Sequence, residues 1–197
     1  LHLTNRIRWD VRGVDGLVPN EWYLVVANHQ SWVDILVLQK IFSRKIPFLK
    51  FFLKKELVWV PFLGVAWWAL DYPFLERSSA VYKDMETTLK ACEKFRTIPV
   101  SVMNFVEGTR FTLEKHRKQH SPYANLLKPK AGGIAFVLTA MGEQIHSILD
   151  VTIVYPHGAQ NFWAFLCGKV PEIKVRVASL SVEGGLLGDY FHDRKSR

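Results

Sequence analysis

The sequence predicts an α/β domain: a single layered unit in which a largely parallel or mixed central sheet is flanked by helices. Three observations carry this. Segments with strand patterning alternate with segments of helical period along most of the chain. The length, 197 residues, is that of one domain and suffices to bury about 70% of the surface the unfolded chain exposes. No linker, internal repeat or low-complexity run breaks the sequence, so residues 1–197 read as one domain.

The elements follow in order. Arg6 to Arg12 alternates polar and apolar residues up to Gly13, the pattern of a half-exposed strand. Trp22 to Ala27 is a short apolar run, a buried strand. Trp32 to Ile41 has the recurrence of a mostly buried helix. Ala80 to Arg96 carries Val81, Met85, Leu89, Cys92 and Phe95 on one face, an amphipathic helix with Cys92 in its core stripe. Pro99 to Val106 reads as a strand, Ala131 to Met141 as a helix, and Leu149 to Tyr155 as a strand closed by Pro156. Asn161 to Cys167 reads as a short helix stopped by Gly168. Glu172 to Leu180 alternates again and is expected at a partly exposed sheet edge. The tail from Asp189 to Arg197 is polar.

Apolar residues make up 49% of the chain and charged residues 22%, ordinary globular usage that excludes disorder, collagen and coiled coil. The departures are seven tryptophans and 26 Lys plus Arg against 18 Asp plus Glu, net +8. The charge is local. Lys40 to Glu56 holds Lys40, Arg44, Lys45, Lys50, Lys54 and Lys55 against one acid. Arg110 to Lys130 holds Arg110, Lys115, Arg117, Lys118, Lys128 and Lys130 against Glu114. Each stretch is net +5, so together they exceed the total and leave −2 elsewhere. They are either solvated faces or a means of attracting an anionic partner. A nucleic-acid partner would need a basic helix or an aromatic RNA-binding signature, and neither is present.

Leu57 to Leu70 is the longest run free of both charged residues and histidine, fourteen residues. As a helix it would reach about 21 Å against a hydrocarbon core of about 30 Å, too short to span. Buried core is one reading. A patch at a membrane interface is the other, favoured by Trp59, Trp67 and Trp68. Two cysteines, Cys92 and Cys167, are too few for a disulfide framework and fit a reducing compartment.

In such a fold, active residues sit in loops beyond the carboxyl ends of strands. In Asn28-His29-Gln30-Ser31-Trp32-Val33-Asp34, Ser31 suits a helix N-cap and Asp34 then falls at N3, one turn in. From there its carboxylate either accepts the His29 Nδ1 proton, leaving Nε2 as a base, or merely completes a capping box. Phe105-Val106-Glu107-Gly108-Thr109-Arg110 also leaves a strand. Gly108 permits close backbone approach, Thr109 offers a hydroxyl and Arg110 a fork suited to phosphate, with Glu107 either orienting Arg110 or buttressing the loop. Arg77 is a further anion contact, and Lys128 and Lys130 precede a helix whose free amides favour an anion. His116-x3-His120 has two-ligand spacing, but it lacks an intervening glutamate and a third ligand nearby, so no metal is expected.

Asn28-His29 with Asp34, Phe74 to Arg77, Phe105 to Arg110 and Val151 to Pro156 occur in the order of the four blocks of the glycerolipid acyltransferases. The resemblance runs from about Gly13 to Pro156. Ser121-Pro122-Tyr123-Ala124 and Lys130-Ala131-Gly132-Gly133 look like the bacterial inner-membrane branch related to lysocardiolipin acyltransferases. Val106 stands where the family usually has proline, and Tyr155-Pro156 lacks the commoner preceding proline. The resemblance implies a glycerol-3-phosphate acyltransferase-like fold. It also implies transfer of a fatty acyl group from acyl-CoA or acyl carrier protein to a lysophospholipid, foremost 1-acylglycerol-3-phosphate. Lysophosphatidylglycerol, or a non-catalytic anionic-lipid-binding role, is the alternative.

His29 would be the general base oriented by Asp34, with no acyl-enzyme. Arg77, Glu107, Gly108, Thr109 and Arg110 would hold the acceptor phosphate. Backbone amides after Asn28 would serve the oxyanion. No cofactor beyond the thioester co-substrate is implied. The expected location is the cytoplasmic face of a bacterial inner membrane, on anionic lipid, with an anchoring segment ahead of Leu1.

Overall fold

The computed structural model describes residues 7–51, 53–54, 59, 65, 69, 72, 74–75, 93, 95 and 97–182. Six strands form one mixed sheet: β1 (Arg8–Arg12), β2 (Trp22–Ala27), β3 (Leu49–Phe51), β6 (Ser101–Phe105), β7 (Ile145–Val154) and β8 (Glu172–Ser181). Their order is β1-β8-β7-β2-β6-β3, and β4 (Leu53–Lys54) and β5 (Phe74–Leu75) make a separate parallel ladder. Every pairing in the large sheet is parallel except β7 with β8. The helices are α1 (Val33–Phe42), α2 (Leu113–Gln119), α3 (Gly132–Met141) and α4 (Phe162–Leu166).

β2 lies at the centre with both faces covered, which is why it reads as an unbroken apolar run. Tyr23, Val25 and Ala27 join Val33, Val37, Leu38 and Ile41 of α1 in one core. Leu24 and Val26 face the other way, with Val102, Val137 and Met141 of β6 and α3. Toward β8 one face is covered and the other meets solvent: Leu149, Val151 and Ile153 are buried while Asp150, Thr152 and Val154 are exposed.

Two expectations change. β8 is not an edge strand, since β1 pairs outside it. Its alternation reports one uncovered face, which a penultimate strand over a single layer shares with an edge. β7 also begins four residues before Leu149, because His146 and Ser147 hide its start in the sequence and the register with β2 shifts at Trp22/Tyr23. Among the described residues no helix is long and apolar enough to cross a membrane. The helix expected over 80–96 and the run 57–70 lie outside the described residues except at isolated positions, where Trp59 and Val65 are exposed and Phe95 is buried.

β2, β6 and β7 are neighbours and parallel, so their carboxyl ends share one edge of the sheet. The segments that follow them begin at Asn28, Val106 and Tyr155.

Gly13 turns the chain out of β1 at φ +83°, and a Cβ there would stand 1.9 Å from the Val177 carbonyl oxygen. Gly16 has φ +78° with nothing within 4 Å. Gly16→Ala is therefore expected to lose only the left-handed backbone preference, about 1 kcal/mol. Gly13→Ala must also displace β8, for a total of about 3 kcal/mol. Urea denaturation of both variants checks this, and equal losses would remove the Val177 contact from the account.

Candidate active site

Asp34 is fully buried at the head of α1, and four donors converge on its carboxylate. Oδ2 lies 2.9 Å from His29 Nδ1 and accepts from the amides of Gln30 at 2.6 Å and Ser31 at 2.8 Å. Oδ1 accepts from the Tyr155 hydroxyl at 2.6 Å. Ser31 Oγ in turn accepts from the Val33 amide at 3.2 Å. The expected capping box is not formed: α1 is capped at Trp32, one residue later than expected and without a side-chain cap bond. The Asp34 amide donates to the Ser31 carbonyl oxygen, while the Asp34 carboxylate takes the Ser31 amide and the His29 ring. A buried carboxylate with this many donors is stable as an anion, and accepting from Nδ1–H leaves His29 Nε2 as the lone-pair nitrogen.

Tyr155 is a site residue the sequence reading missed. Burial, then the neighbouring Asp34 charge, push its hydroxyl far above the usual phenol range, so it donates as a neutral group at any physiological pH. Its signal in the sequence is its position just past the end of a strand parallel to β2. That becomes legible only once β7 is known to lie beside β2.

The Asn28 side chain fixes the same seam: Nδ2 donates to the Ile153 carbonyl at 2.9 Å, and the Ile153 amide donates to Oδ1 at 2.7 Å. Gln30 Nε2 donates to that carbonyl at 3.1 Å. The His29 ring stacks on Phe105, centroids 3.8 Å apart and planes 13° apart, which holds the imidazole flat over the end of β6.

Glu107 is the second buried carboxylate, 1% exposed. Oε1 accepts from the His29 amide at 2.9 Å and Oε2 from the Leu127 amide at 2.8 Å. It buttresses the loops and faces neither Arg110 nor solvent, which corrects its expected place among the phosphate contacts. The expected oxyanion donors also change, because the amides of His29, Gln30 and Ser31 are already taken by the two carboxylates.

The Phe111 amide donates to the His29 carbonyl at 2.7 Å, and the Val106 amide to Ala27 at 3.3 Å. A proline at 106 could not make the second bond. Gly108 has φ +66°, and a Cβ there would meet the Lys130 side chain at 3.2 Å. Thr109 Oγ1 accepts from Lys115 Nζ at 2.8 Å, and the same ammonium reaches the Arg110 carbonyl at 3.1 Å. Arg110 is exposed, with its guanidinium 5.3 Å from the centroid of the Trp32 ring. Lys128 and Lys130 are exposed on the segment entering α3, and the Lys130 amide ties back to Val106 at 2.7 Å. His29, Asp34, Glu107, Gly108, Thr109, Arg110 and Lys130 are therefore drawn together by loop-to-loop bonds. Arg77 lies outside the described residues. The His116 and His120 pair does not share a helix face, since His120 is the left-handed C-cap of α2 and His116 Nε2 meets the Tyr123 carbonyl at 2.6 Å.

A histidine on a buried carboxylate, beside an exposed arginine at the carboxyl edge of an α/β sheet, is an arrangement suited to acyl transfer. The chain belongs to the acyltransferase family, whose sequence model, described as Acyltransferase, matches residues 8–156. It is 35% identical over 152 residues to 1-acyl-sn-glycerol-3-phosphate acyltransferase 3 of Arabidopsis thaliana, covering 70% of this chain and 39% of that protein. It is 32% identical over 105 residues to 1-acyl-sn-glycerol-3-phosphate acyltransferase alpha of Homo sapiens, covering 53% and 35%. In both cases the match spans well under half of the relative's length. The crystal structure of the 1-acyl-sn-glycerophosphate (LPA) acyltransferase PlsC from Thermotoga maritima has the same fold. It aligns with a TM-score of 0.57 over 96% of this chain and 66% of that one, at 21% identity.

Tyr155→Phe removes one donor from a buried anion and is expected to cost about 2 kcal/mol at pH 7. Because the folded-state pKa is raised, the tyrosine's contribution is complete below pH about 10. Above that, the unfolded chain releases the proton first, and stability falls by about 1.4 kcal/mol per pH unit. The gap between wild type and Tyr155→Phe should therefore narrow between pH 10 and 11 in urea denaturation. A gap independent of pH would contradict the assignment.

Proposed function

We propose that the protein transfers a fatty acyl group from an acyl thioester to the free hydroxyl of a lysophospholipid, with 1-acylglycerol-3-phosphate as acceptor and phosphatidic acid as product. The observation that carries this reading is the 2.9 Å contact between His29 Nδ1 and a fully buried Asp34. A binding module has no use for a base with an orienting carboxylate. Family membership and the names of the relatives support the acceptor class.

In this mechanism His29 Nε2 takes the proton from the acceptor hydroxyl as that oxygen attacks the thioester carbonyl carbon. The tetrahedral oxyanion collapses with cleavage of the carbon–sulfur bond, and the leaving thiolate recovers the proton from the imidazolium. Asp34 holds the imidazole's tautomer and offsets its transient positive charge, while Phe105 holds the ring plane. Transfer is direct. Ser31 Oγ donates to the Gln160 carbonyl at 2.5 Å and is buried, an unsuitable state for a nucleophile. Arg110, beside Gly108 and Thr109, grips the acceptor phosphate, with Arg77 as a second contact and Lys128 and Lys130 as further anion contacts. Holding the hydroxyl against the thioester supplies much of the rate. The donor is acyl-CoA or acyl carrier protein. The same reading assigns the enzyme to the cytoplasmic face of a bacterial inner membrane, where its basic stretches would meet anionic headgroups.

Transfer of labelled acyl chains from both donors to a panel of lysophospholipids tests this. Wild type should turn over lysophosphatidate, and His29→Ala should lower kcat about a thousandfold. Arg110→Lys should raise KM for lysophosphatidate more than it lowers kcat, because a point charge replaces a fork. Preference for lysophosphatidylglycerol would change the acceptor. Absence of turnover with every pair would favour a lipid-binding module.

A further inference from the structure

The edge of the sheet that carries His29 also carries an apolar surface the chemistry above leaves unused. α4 forms between β7 and β8 at that edge. Phe165 points into the core, while Phe162, Trp163 and Leu166 are 37%, 73% and 39% exposed. Leu166 lies four residues after Phe162 and three after Trp163, so it neighbours both on the helix surface, and the Phe162 and Trp163 rings meet edge to face at 5.8 Å. The turn is fixed at both ends. Asn161 Oδ1 accepts from the Ala164 amide at 2.8 Å, and Gly168, at φ +76°, ends it. Ser31 Oγ bonds the Gln160 carbonyl, which ties the segment directly to the loop of His29 and Asp34.

Folding does not require this exposure, and single exposed apolar residues are common, but a fixed cluster of two aromatics and a leucine is not. Its size selects its occupant. Three side chains of at most about 150–250 Å² each fall short of the roughly 800 Å² per partner of a stable protein interface. A tryptophan-led apolar turn with cations on the same edge of the sheet is instead the composition of an interfacial lipid contact. The cations are present: Lys169 is exposed just after α4, and Arg110, Lys128 and Lys130 are exposed on loops leaving the same edge.

We propose that α4 is a lipid-contacting foot: Phe162, Trp163 and Leu166 enter the headgroup–acyl boundary of an anionic bilayer and hold the His29 loop at the depth of a lysolipid's free hydroxyl. The purpose of the contact rests on the lysolipid-acylating reading, and the contact itself is tested apart from it. With Cys92 and Cys167 changed to serine, Trp163→Cys carries an environment-sensitive fluorophore. Vesicles of phosphatidylglycerol and phosphatidylcholine should shift its emission to the blue, and lipids brominated near the headgroup should quench it. An unlabelled Phe162→Ser/Trp163→Ser variant, checked for unchanged circular dichroism, should bind those vesicles about tenfold more weakly. It should acylate a vesicle-borne lysolipid about tenfold more slowly while acting on a short-chain soluble one like wild type. A spectrum that vesicles leave unchanged overturns the proposal. So does one already shifted to the blue without them, which would mean that this chain or a second copy covers the face. If no lysolipid is acylated at all, the acyl-transfer reading fails while the fluorescence still decides the lipid contact.

Discussion

A carboxylate with no exposure to water cannot persist as an anion unless its oxygens find donors, and Asp34 finds four. Two are the amides of Gln30 and Ser31 in the turn ahead of α1, one is the imidazole of His29, and one is the hydroxyl of Tyr155 just past β7. The amides fix the turn that leads into a helix, the imidazole is a base that needs orienting, and the hydroxyl locks a strand end. None can shift without leaving a buried charge short of a partner. The imidazole is therefore held by the same electrostatic requirement that holds the fold, and its position does not depend on a flexible loop.

Glu107 repeats the device one strand over. It accepts from the His29 amide on one oxygen and the Leu127 amide on the other, so His29 is fastened through its ring by one buried acid and through its backbone by a second. Asn28 acts in the same way without charge, its amide group continuing the β2–β7 seam at Ile153. The carboxyl ends of β7, β2 and β6 are joined across the top by side chains where the sheet's own ladder stops. Hinge motion within this edge would break several of these bonds at once, so the geometry around His29 Nε2 is set before any substrate arrives.

What the sequence revealed and what it hid divide along the same line. β2 was legible because burial on both faces leaves only apolar residues, and β6 because its run is apolar apart from Ser101 and Asn104. α1 was legible from the apolar recurrence between Trp32 and Ile41, though its cap falls at Trp32 and not at the expected Ser31. The pairing of His29 with Asp34 was legible as one of two readings, and it is the one the structure holds, with the Ser31 amide added to the same carboxylate oxygen. Tyr155 was hidden because its reach to Asp34 depends on β7 lying next to β2, a long-range fact that no local pattern carries. The duty of Glu107 was hidden for the same reason: Leu127 is twenty residues away along the chain. β8 was misplaced because alternation records how many faces are covered, not how many neighbours a strand has.

The engagement of Glu107 with backbone has a consequence for Arg110. An arginine three residues from a glutamate would ordinarily pair with it, and a paired guanidinium has little capacity left for a phosphate. Here the glutamate is consumed by two amides, and among the described residues no carboxylate stands within ion-pair distance of Arg110. Its observed neighbour is the ring of Trp32 at 5.3 Å, a contact that steadies the guanidinium without cancelling its charge or occupying its in-plane N–H donors. Lys115 meanwhile holds the loop by Thr109 Oγ1 and the Arg110 carbonyl, adding positive charge and removing none. The loop is thus held by aromatic and cationic partners on its outer side and by buried acids beneath. That division leaves the Arg110 guanidinium without a carboxylate partner among the described residues, beside a base whose own counter-charge is buried in the core.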